Sequence, residues 1–391
     1  MKNNITLIFP SSSFLINQGV FPPLGIMCLS GALKDAGVDV QCLDFGIGHT
    51  KEMAEFDTVG ISFTTPQRRE AFELIKYYKS LGKTVIVGGA HATHMSAECF
   101  KHGADFVVCG YGEKGLLNYF NRFSLDVYYP PDRDSLPLEK YNYTIDGEVA
   151  TTIMTSRGCP YDCLFCGRID KSFEMLSYTQ VIQEIEDINA IYGYKAFMMF
   201  DDVFTINIKR LYHISEAFRH SGFKFRCFSR ANLINPTTCD LLHNMGVVEV
   251  GLGIESGSQK ILDFNMKNTT VEANTKAVKL LQERGIRAKC FIIVGLPGET
   301  KGTFNDTVSW LEYVQPDDVD ATIFQPLPGS DIFNFPEKYG INFSYDGNDL
   351  WYKGITGKYS TSVSSKHFTS NDLVSMRDYL EGRFKNKELL R

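Results

Sequence analysis

Cys159, Cys163 and Cys166 lie in the run Ser156-Arg157-Gly158-Cys159-Pro160-Tyr161-Asp162-Cys163-Leu164-Phe165-Cys166-Gly167, spaced C-x3-C-x2-C. Iron–sulfur clusters are held by thiolates. One loop with three thiolates serves three corners of a four-iron cube and leaves the fourth iron for an exogenous ligand, as catalytic metal sites keep an open position. Gly158 and Pro160 favour a loop over a continuing helix. Structural zinc normally takes four ligands, commonly as two close pairs, and no second pair lies nearby. A disulfide is disfavoured by the reducing compartment inferred below.

The elements around this loop set where it sits. Residues 150–155 are a β-rich run that feeds it, and further strand-like runs follow at 196–200, 224–228, 248–253, 287–294 and 320–324. Helix-like segments at 179–192, 208–220, 236–245, 271–284 and 301–314 separate them. That is six β/α units, short of the eight that ~250 residues would give, and it predicts an open partial barrel. Chemistry in such barrels gathers at the C-terminal strand ends. Those ends carry Asp201 and Asp202, then Ser229, Arg230 and Asn232, then Gly253 to Gly257 with Glu255, then Gly295 to Glu299, then Gln325 to Ser330, on strands that otherwise read as apolar. Singly, each has a plain structural role: an aspartate as a helix N-cap, Glu299-Thr300 as the start of a helix, a proline as a turn former. As a set around one mouth they form a candidate pocket.

Ahead of this, apolar runs at 5–9, 38–43, 58–63, 84–87 and 106–109 alternate with helix-like stretches at 24–36 and 67–81. Buried strands with glycine at their ends predict a Rossmann-like parallel sheet, with ligands beyond the carboxyl ends of its strands. No phosphate-loop pattern G-x-x-x-x-G-K-[ST] follows a strand. Residues 124–148 lack periodicity, with Pro130-Pro131 and clustered Asp, and read as an extended connection; Tyr128, Tyr141 and Tyr143 are expected to pack. Residues 342–358 read as a loop or hairpin and 371–390 as a helix with Ser370 as N-cap.

The chain has 391 residues, with 40 Lys plus Arg against 46 Asp plus Glu, for a net charge of −6. At 43% hydrophobic and 22% charged it is globular rather than disordered. Its acidic balance gives no support for charge-driven nucleic-acid binding, and the basic residues near its end also suit a helix C-terminus. No apolar run approaches the ~20 residues of a membrane-spanning helix, and the N-terminus is too short and strand-like for a signal peptide. A reducing, cytoplasmic setting is expected. The other cysteines, at 28, 42, 99, 109, 227, 239 and 290, are expected to be small buried hydrophobes. His91 and His94 are left unassigned as metal ligands.

The C-x3-C-x2-C spacing, with Phe165 before the last cysteine, resembles the signature of the radical S-adenosylmethionine (SAM) superfamily. The succession Pro22-Pro23-Leu24-Gly25, Gly88-Gly89-Ala90-His91-Ala92-Thr93 and Gly110-Tyr111-Gly112-Glu113 is similar to the N-terminal domain of its cobalamin-dependent members. The resemblance implies an α/β chain: a cobalamin-binding-type domain at 1–125, a linker at 126–149, a partial (β/α)6 radical SAM barrel at 150–335 and a C-terminal loop and helix at 336–391. It implies a 4Fe-4S cluster on Cys159, Cys163 and Cys166. SAM would lie against Phe165, Asp201, Asp202, Arg230, Gly253, Glu255, Ile293, Gly295 and Pro297. Cobalamin would lie against Ser62, Thr64, Gly88, Gly89, His91, Gly110, Tyr111 and Glu113. The implied activity is reductive cleavage of SAM to a 5′-deoxyadenosyl radical, hydrogen abstraction from a substrate carbon, and cobalamin-dependent methyl transfer to a small molecule, with an external one-electron reductant of flavodoxin or ferredoxin type. The alternatives are a cobalamin-independent rearrangement, elimination, dehydrogenation or epimerisation, and a non-catalytic Fe-S or cobalamin-binding module. Two departures stand out: there is no Asp-x-His-x-x-Gly, His49 lying at another offset from Asp44, and the crossover over 44–57 is short.

Overall fold

Apolar strands alternating with amphipathic helices build two separate parallel sheets. The computed structural model describes residues 3–12, 15, 17–123, 128–169, 172–345 and 359–386; most of the loop expected over 342–358, and the end of the helix expected to 390, fall outside them. One compact unit is built on Met1–Asn142 with Arg168–Asp170, the other on Tyr143–Gly167 and most of the chain beyond.

The first unit has strands β1 (Asn4–Phe9), β2 (Asp39–Asp44), β3 (Thr58–Ser62), β4 (Thr84–Gly88) and β5 (Phe106–Val107), in the order β2-β1-β3-β4-β5 and all parallel. Helices α1 (Leu24–Asp35), α2 (Arg68–Ser80), α3 (Ala90–His94), α4 (Ser96–Lys101) and α5 (Gly112–Tyr119) complete it. The strand order reverses between β1 and β3, which makes their carboxyl ends the topological switch point. Ile61, Phe63, Phe72, Ile75, Tyr78 and Val87 pack in one core beneath α2. The short crossover carries two 3-10 turns, Phe45–Ile47 and Lys51–Met53, in place of a helix. The connection expected to be merely extended is anchored: Asp132 accepts from Ser30 Oγ at 2.6 Å, and Tyr141 donates to buried Asp44 at 2.7 Å. Cys109 corrects the packing expectation for the scattered cysteines. It is exposed, whereas the other six are buried.

The second unit curls seven strands in the order β14-β13-β12-β11-β10-β7-β6. These are β6 (Thr144–Ile145), β7 (Glu148–Ile153), β10 (Ala196–Met199), β11 (Lys224–Ser229), β12 (Val247–Glu255), β13 (Arg287–Val294) and β14 (Asp318–Ile323), while β8 (Ser156–Arg157) and β9 (Glu174–Met175) form a side ribbon. All neighbours run parallel except β6, which the two-residue turn Asp146-Gly147 folds back on β7, both residues at positive φ. The outer helices are α6 (Tyr178–Tyr192), α7 (Ile208–Phe218), α8 (Pro236–Met245), α9 (Gln259–Phe264), α10 (Val271–Glu283) and α11 (Lys301–Val314), with a short α12 (Asp331–Asn334) after β14.

Along β13, Ala288, Cys290, Ile292 and Val294 are buried against helices, while Arg287, Lys289, Phe291 and Ile293 alternate toward the concave side. The concave face is not apolar throughout, as the sequence suggested. Its floor is an ion network: Arg226 to Glu249 at 2.6 Å, Arg287 to Asp146 at 2.7 Å, and Lys289 to Asp318 at 3.0 Å and Asp320 at 3.5 Å.

The edge strand β14 would offer unpaired backbone groups. Helix α13 (Ser370–Phe384) lies on it. Glu381 Oε1 accepts from Ala321 N–H at 2.6 Å and Arg377 Nε donates to Ala321 O at 3.2 Å. Its N-cap is Thr369, in a capping box with Asp372, rather than Ser370, whose hydroxyl turns to Val363 O. Among the described residues no helix is long and apolar enough to cross a membrane. Replacing Glu381 with Ala strips a charge-assisted cap from a half-buried edge, so the barrel should lose about 1.5–3 kcal/mol in a denaturant titration, with Glu381→Gln losing less.

Candidate active site

The cysteine loop leaves β7 through Thr155, and the β8–β9 ribbon pins its base. Asp201, at the end of β10, is fully buried and turned into this junction: it accepts from Thr155 N and Thr155 Oγ1, each at 2.6 Å, and from Ser156 Oγ at 2.7 Å. Arg210 Nη2 donates to Thr155 O at 3.0 Å and sets its charge near Asp201. Burial raises the Asp201 carboxyl, and the three donors and Arg210 pull it back. The expectation of a SAM contact at Asp201 therefore gives way to a positioning role. Asp202 is exposed at the mouth, and enclosure by the surrounding wall, then the Asp201 charge, raise its carboxyl.

Arg230, at the end of β11, reaches the loop directly. Its Nη1 lies 3.3 Å from Cys163 Sγ, its guanidinium stacks 3.8 Å from the Tyr161 ring, and its Nη2 donates to Lys267 O. Burial raises the Cys159 thiol, and the Asp202 charge adds to that while Arg230 opposes it. Among the described residues no group of three His, Cys, Asp or Glu side chains is drawn together as ligands of one ion.

Lys267 was invisible to sequence reasoning. Its ammonium is 2.6 Å from Glu255 Oε1, and both side chains are buried. Glu255 sits at positive φ where β12 slips register against β13, and Met266 and Asn268 flank the lysine at positive φ as well. A Cβ at Gly253 would stand 2.6 Å from Glu255 Oε1 and 2.9 Å from Lys267 Nζ, so a side chain there would push the pair aside. Asn265 was also missed. Its backbone carbonyl accepts from Leu164 N at 3.0 Å and its side-chain amide donates to Pro297 O at 3.0 Å, which joins the cysteine loop to the turn after β13. Helix α9, which presents this segment, carries no clear periodicity in Gln259–Phe264, and the polar run after it gives no motif.

In that turn Gly295 has φ +84° and its N–H donates to buried Glu299 at 2.6 Å. Burial pushes the Glu299 carboxyl up to about 8. Thr300, next to it, is the N-cap of α11. Phe165 and Ile293 are half-buried, Pro297 is buried, and Lys267 Nζ lies 5.9 Å from the Phe165 ring. The mouth thus gathers Cys159, Cys163, Arg230, Glu255 and Lys267, with Asp202 beside Cys159.

In the first unit the carboxyl-edge residues divide. Ser62, Gly88, Gly89, Gly110 and Tyr111 are half-exposed and Thr64 is exposed. Gly89 has φ +93°, and a Cβ there would strike Phe63 O at 2.6 Å. A Cβ on Gly110 would meet nothing within 4 Å, so that turn leaves room for a flat ligand. Thr64 spends its hydroxyl on Gln67 at 2.9 Å. Glu113 is buried. His91 corrects its expected place at the ligand edge: it is fully buried, its Nδ1 is 3.1 Å from Thr65 Oγ1, its Nε2 is 3.2 Å from Glu98, and burial pushes its pKa down to about 4. It is a neutral core histidine. His94 lies with its Nε2 2.8 Å from Arg168 O.

The model of the radical SAM superfamily matches residues 153–311, and that of the B12 binding domain matches residues 17–119. An uncharacterised methyltransferase of Pyrococcus horikoshii is 28% identical, across 95% of this chain and 90% of its own. The anaerobic magnesium-protoporphyrin IX monomethyl ester cyclase of Rubrivivax gelatinosus is 27% identical, across 81% and 66%. The solved methyltransferase TsrM of Kitasatospora setae, with cobalamin and a [4Fe-4S] cluster bound, superposes with a TM-score of 0.70 at 18% identity, over 88% of this chain and 77% of that one.

Two outcomes check the site. The folded Glu299 binds a proton up to about pH 8 while an unfolded glutamate releases it near 4.5, so stability falls as pH rises between those values. Glu299→Gln should flatten that slope, at most about 1.4 kcal/mol per pH unit, in denaturant titrations from pH 5 to 8. Lys267→Met leaves Glu255 buried and unpaired and should cost about 3–5 kcal/mol, and adding Glu255→Gln should restore much of it; simple additivity in the double-mutant cycle would refute the pairing.

Proposed function

Because the chain belongs to the radical SAM superfamily and carries a B12 binding domain, we propose that it is a cobalamin-dependent radical SAM methyltransferase acting on a small molecule. The observation that carries this is the three-thiol loop held at the barrel mouth with the buried Arg230 guanidinium 3.3 Å from Cys163 Sγ. A bound cluster, SAM and methylcobalamin would supply the chemistry, radical hydrogen abstraction from a substrate carbon and a methyl donor that further SAM could renew, with electrons from an external reductant.

The residues present fit these groups. Arg230 offsets the negative charge of a thiolate cluster and offers a cation to a carboxylate beside it. Asp202, exposed at the mouth, suits the ammonium of a methionine end. Gly253 and Gly295 let a ligand approach the backbone, with Phe165, Ile293 and Pro297 as apolar surfaces for an adenine. Lys267 holds Glu255 in one orientation, and Asp201 fixes the loop while water is excluded from the junction. In the first unit Ser62, Gly88, Gly89, Gly110 and Tyr111 line the carboxyl edge that a corrin would cover. Its electrons would come from an external one-electron reductant of flavodoxin or ferredoxin type in a reducing cytoplasm. The Pyrococcus relative is described as a methyltransferase, which supports methyl transfer. A cobalamin-free radical outcome is the second reading, favoured by a crossover reduced to two 3-10 turns.

Anaerobic reconstitution with iron, sulfide and hydroxocobalamin, followed by SAM and a strong reductant, separates them. Retained cobalamin with both 5′-deoxyadenosine and S-adenosylhomocysteine is expected. 5′-Deoxyadenosine without retained cobalamin would select the second reading. Cys163→Ala should abolish cluster assembly and SAM cleavage.

A further inference from the structure

Between the charged floor and the cofactor mouth of the barrel lies a layer of three phenylalanines. Phe200 directly follows β10 and is 42% exposed. Phe228 on β11 meets it at 6.3 Å between ring centres, and Phe291 on β13 meets Phe228 at 5.8 Å. Both Phe228 and Phe291 are half-buried. The same residue type fares differently on the outer face, where Phe197 and Phe225 are fully buried and stacked at 5.5 Å. Gly251, between Phe228 and Phe291, makes the layer possible, because a Cβ there would stand 2.7 Å from each ring.

Register and charge say what this layer suits. Phe228 is two residues below Arg230 and Phe291 two below Ile293, so the rings lie ~7 Å beneath the mouth. Of the charges above, Arg230 is engaged by Cys163 and Lys267 O, and Lys267 and Glu255 by each other, while Asp202 is exposed at the rim. Those below are paired within the floor: Lys289, 5.8 Å from the Phe291 ring, is bound to Asp318 and Asp320. The layer itself carries no charge, and an apolar ring face suits an uncharged group. Ring faces recognise planar partners by offset or edge-to-face stacking.

We propose that Phe200, Phe228 and Phe291 form a substrate platform that takes a planar, uncharged ring system and brings its rim to the barrel mouth. This rests on the proposed radical chemistry at the same mouth, but its test needs neither SAM nor reductant. Acridone, a planar, neutral and fluorescent probe, is titrated against the cluster-reconstituted chain, with the globular 1-adamantanol as competitor. Saturable acridone binding is expected, with adamantanol displacing it poorly. Phe228→Leu and Phe291→Leu should each weaken it roughly 2- to 12-fold, whereas Phe228→Tyr, which keeps the ring, and Tyr313→Ala, on an outer helix, should leave it unchanged. Absence of saturable binding, wild-type affinity in both Leu variants, or equal displacement by adamantanol would overturn the platform. Failure to form 5′-deoxyadenosine would instead overturn the radical reading, whatever acridone does.

Discussion

The buried carboxylate of Asp201 is the constraint on which the mouth depends. A strand that has reached the end of its ladder must release backbone donors, and here Asp201 takes Thr155 N–H together with the hydroxyls of Thr155 and Ser156. Arg210 takes the Thr155 carbonyl. A carboxylate brought out of water is costly unless its lone pairs are filled and a charge stands nearby, and this one has both. The turn into the cysteine loop is thereby fixed before any cofactor arrives. From there Leu164 reaches the Asn265 carbonyl and Asn265 reaches Pro297, so the loop, the segment after α9 and the turn after β13 form one hydrogen-bonded frame.

The concave face is layered by charge. At the bottom, ion pairs close the barrel with side chains that would be expensive to bury singly. In the middle, phenyl rings lean over a glycine. At the top, Arg230 reaches Cys163 and the Lys267 carbonyl, and Lys267 pairs with Glu255. The period of two along each strand generates all three layers: Arg226, Phe228 and Arg230 on β11 and just after it, and Lys289, Phe291 and Ile293 on β13. The intervening residues supply the apolar face that the outer helices cover.

That period also explains what was legible. The six barrel strands and their helices could be read because their outward residues are apolar and helical stretches intervene. Cys159, Cys163 and Cys166 could be singled out as a proposed cluster site because three thiols share one local run. Lys267 could not, because its partner is 12 residues away and meets it only after a register slip at Glu255. Asp201 looked like a ligand because a strand-end carboxylate has the same signature whether it faces the mouth or the junction behind it. His91 misled in the same way: a glycine turn followed by histidine reads as a ligand edge, yet the ring packs 5.3 Å from Phe63 with both nitrogens engaged. Short α3, α4 and α5 gave too few turns for periodicity to emerge.

The last helix shows how remote sequence shapes the mouth. Periodicity says little about α13, since only Leu373 and Leu380 of its residues are buried. Its grip on β14 is polar, through Glu381 and Arg377. Yet a Cβ added to Gly295 would stand 2.9 Å from Leu373, so this helix lies directly behind the turn whose N–H is held by Glu299. A side chain at position 295 would meet the left-handed φ and the Leu373 wall together. The turn is therefore confined by Glu299 on one side and by α13 on the other, and the C-terminal helix, without contributing a polar group to the mouth, helps set the position of a backbone segment that the proposed cofactor would rest against.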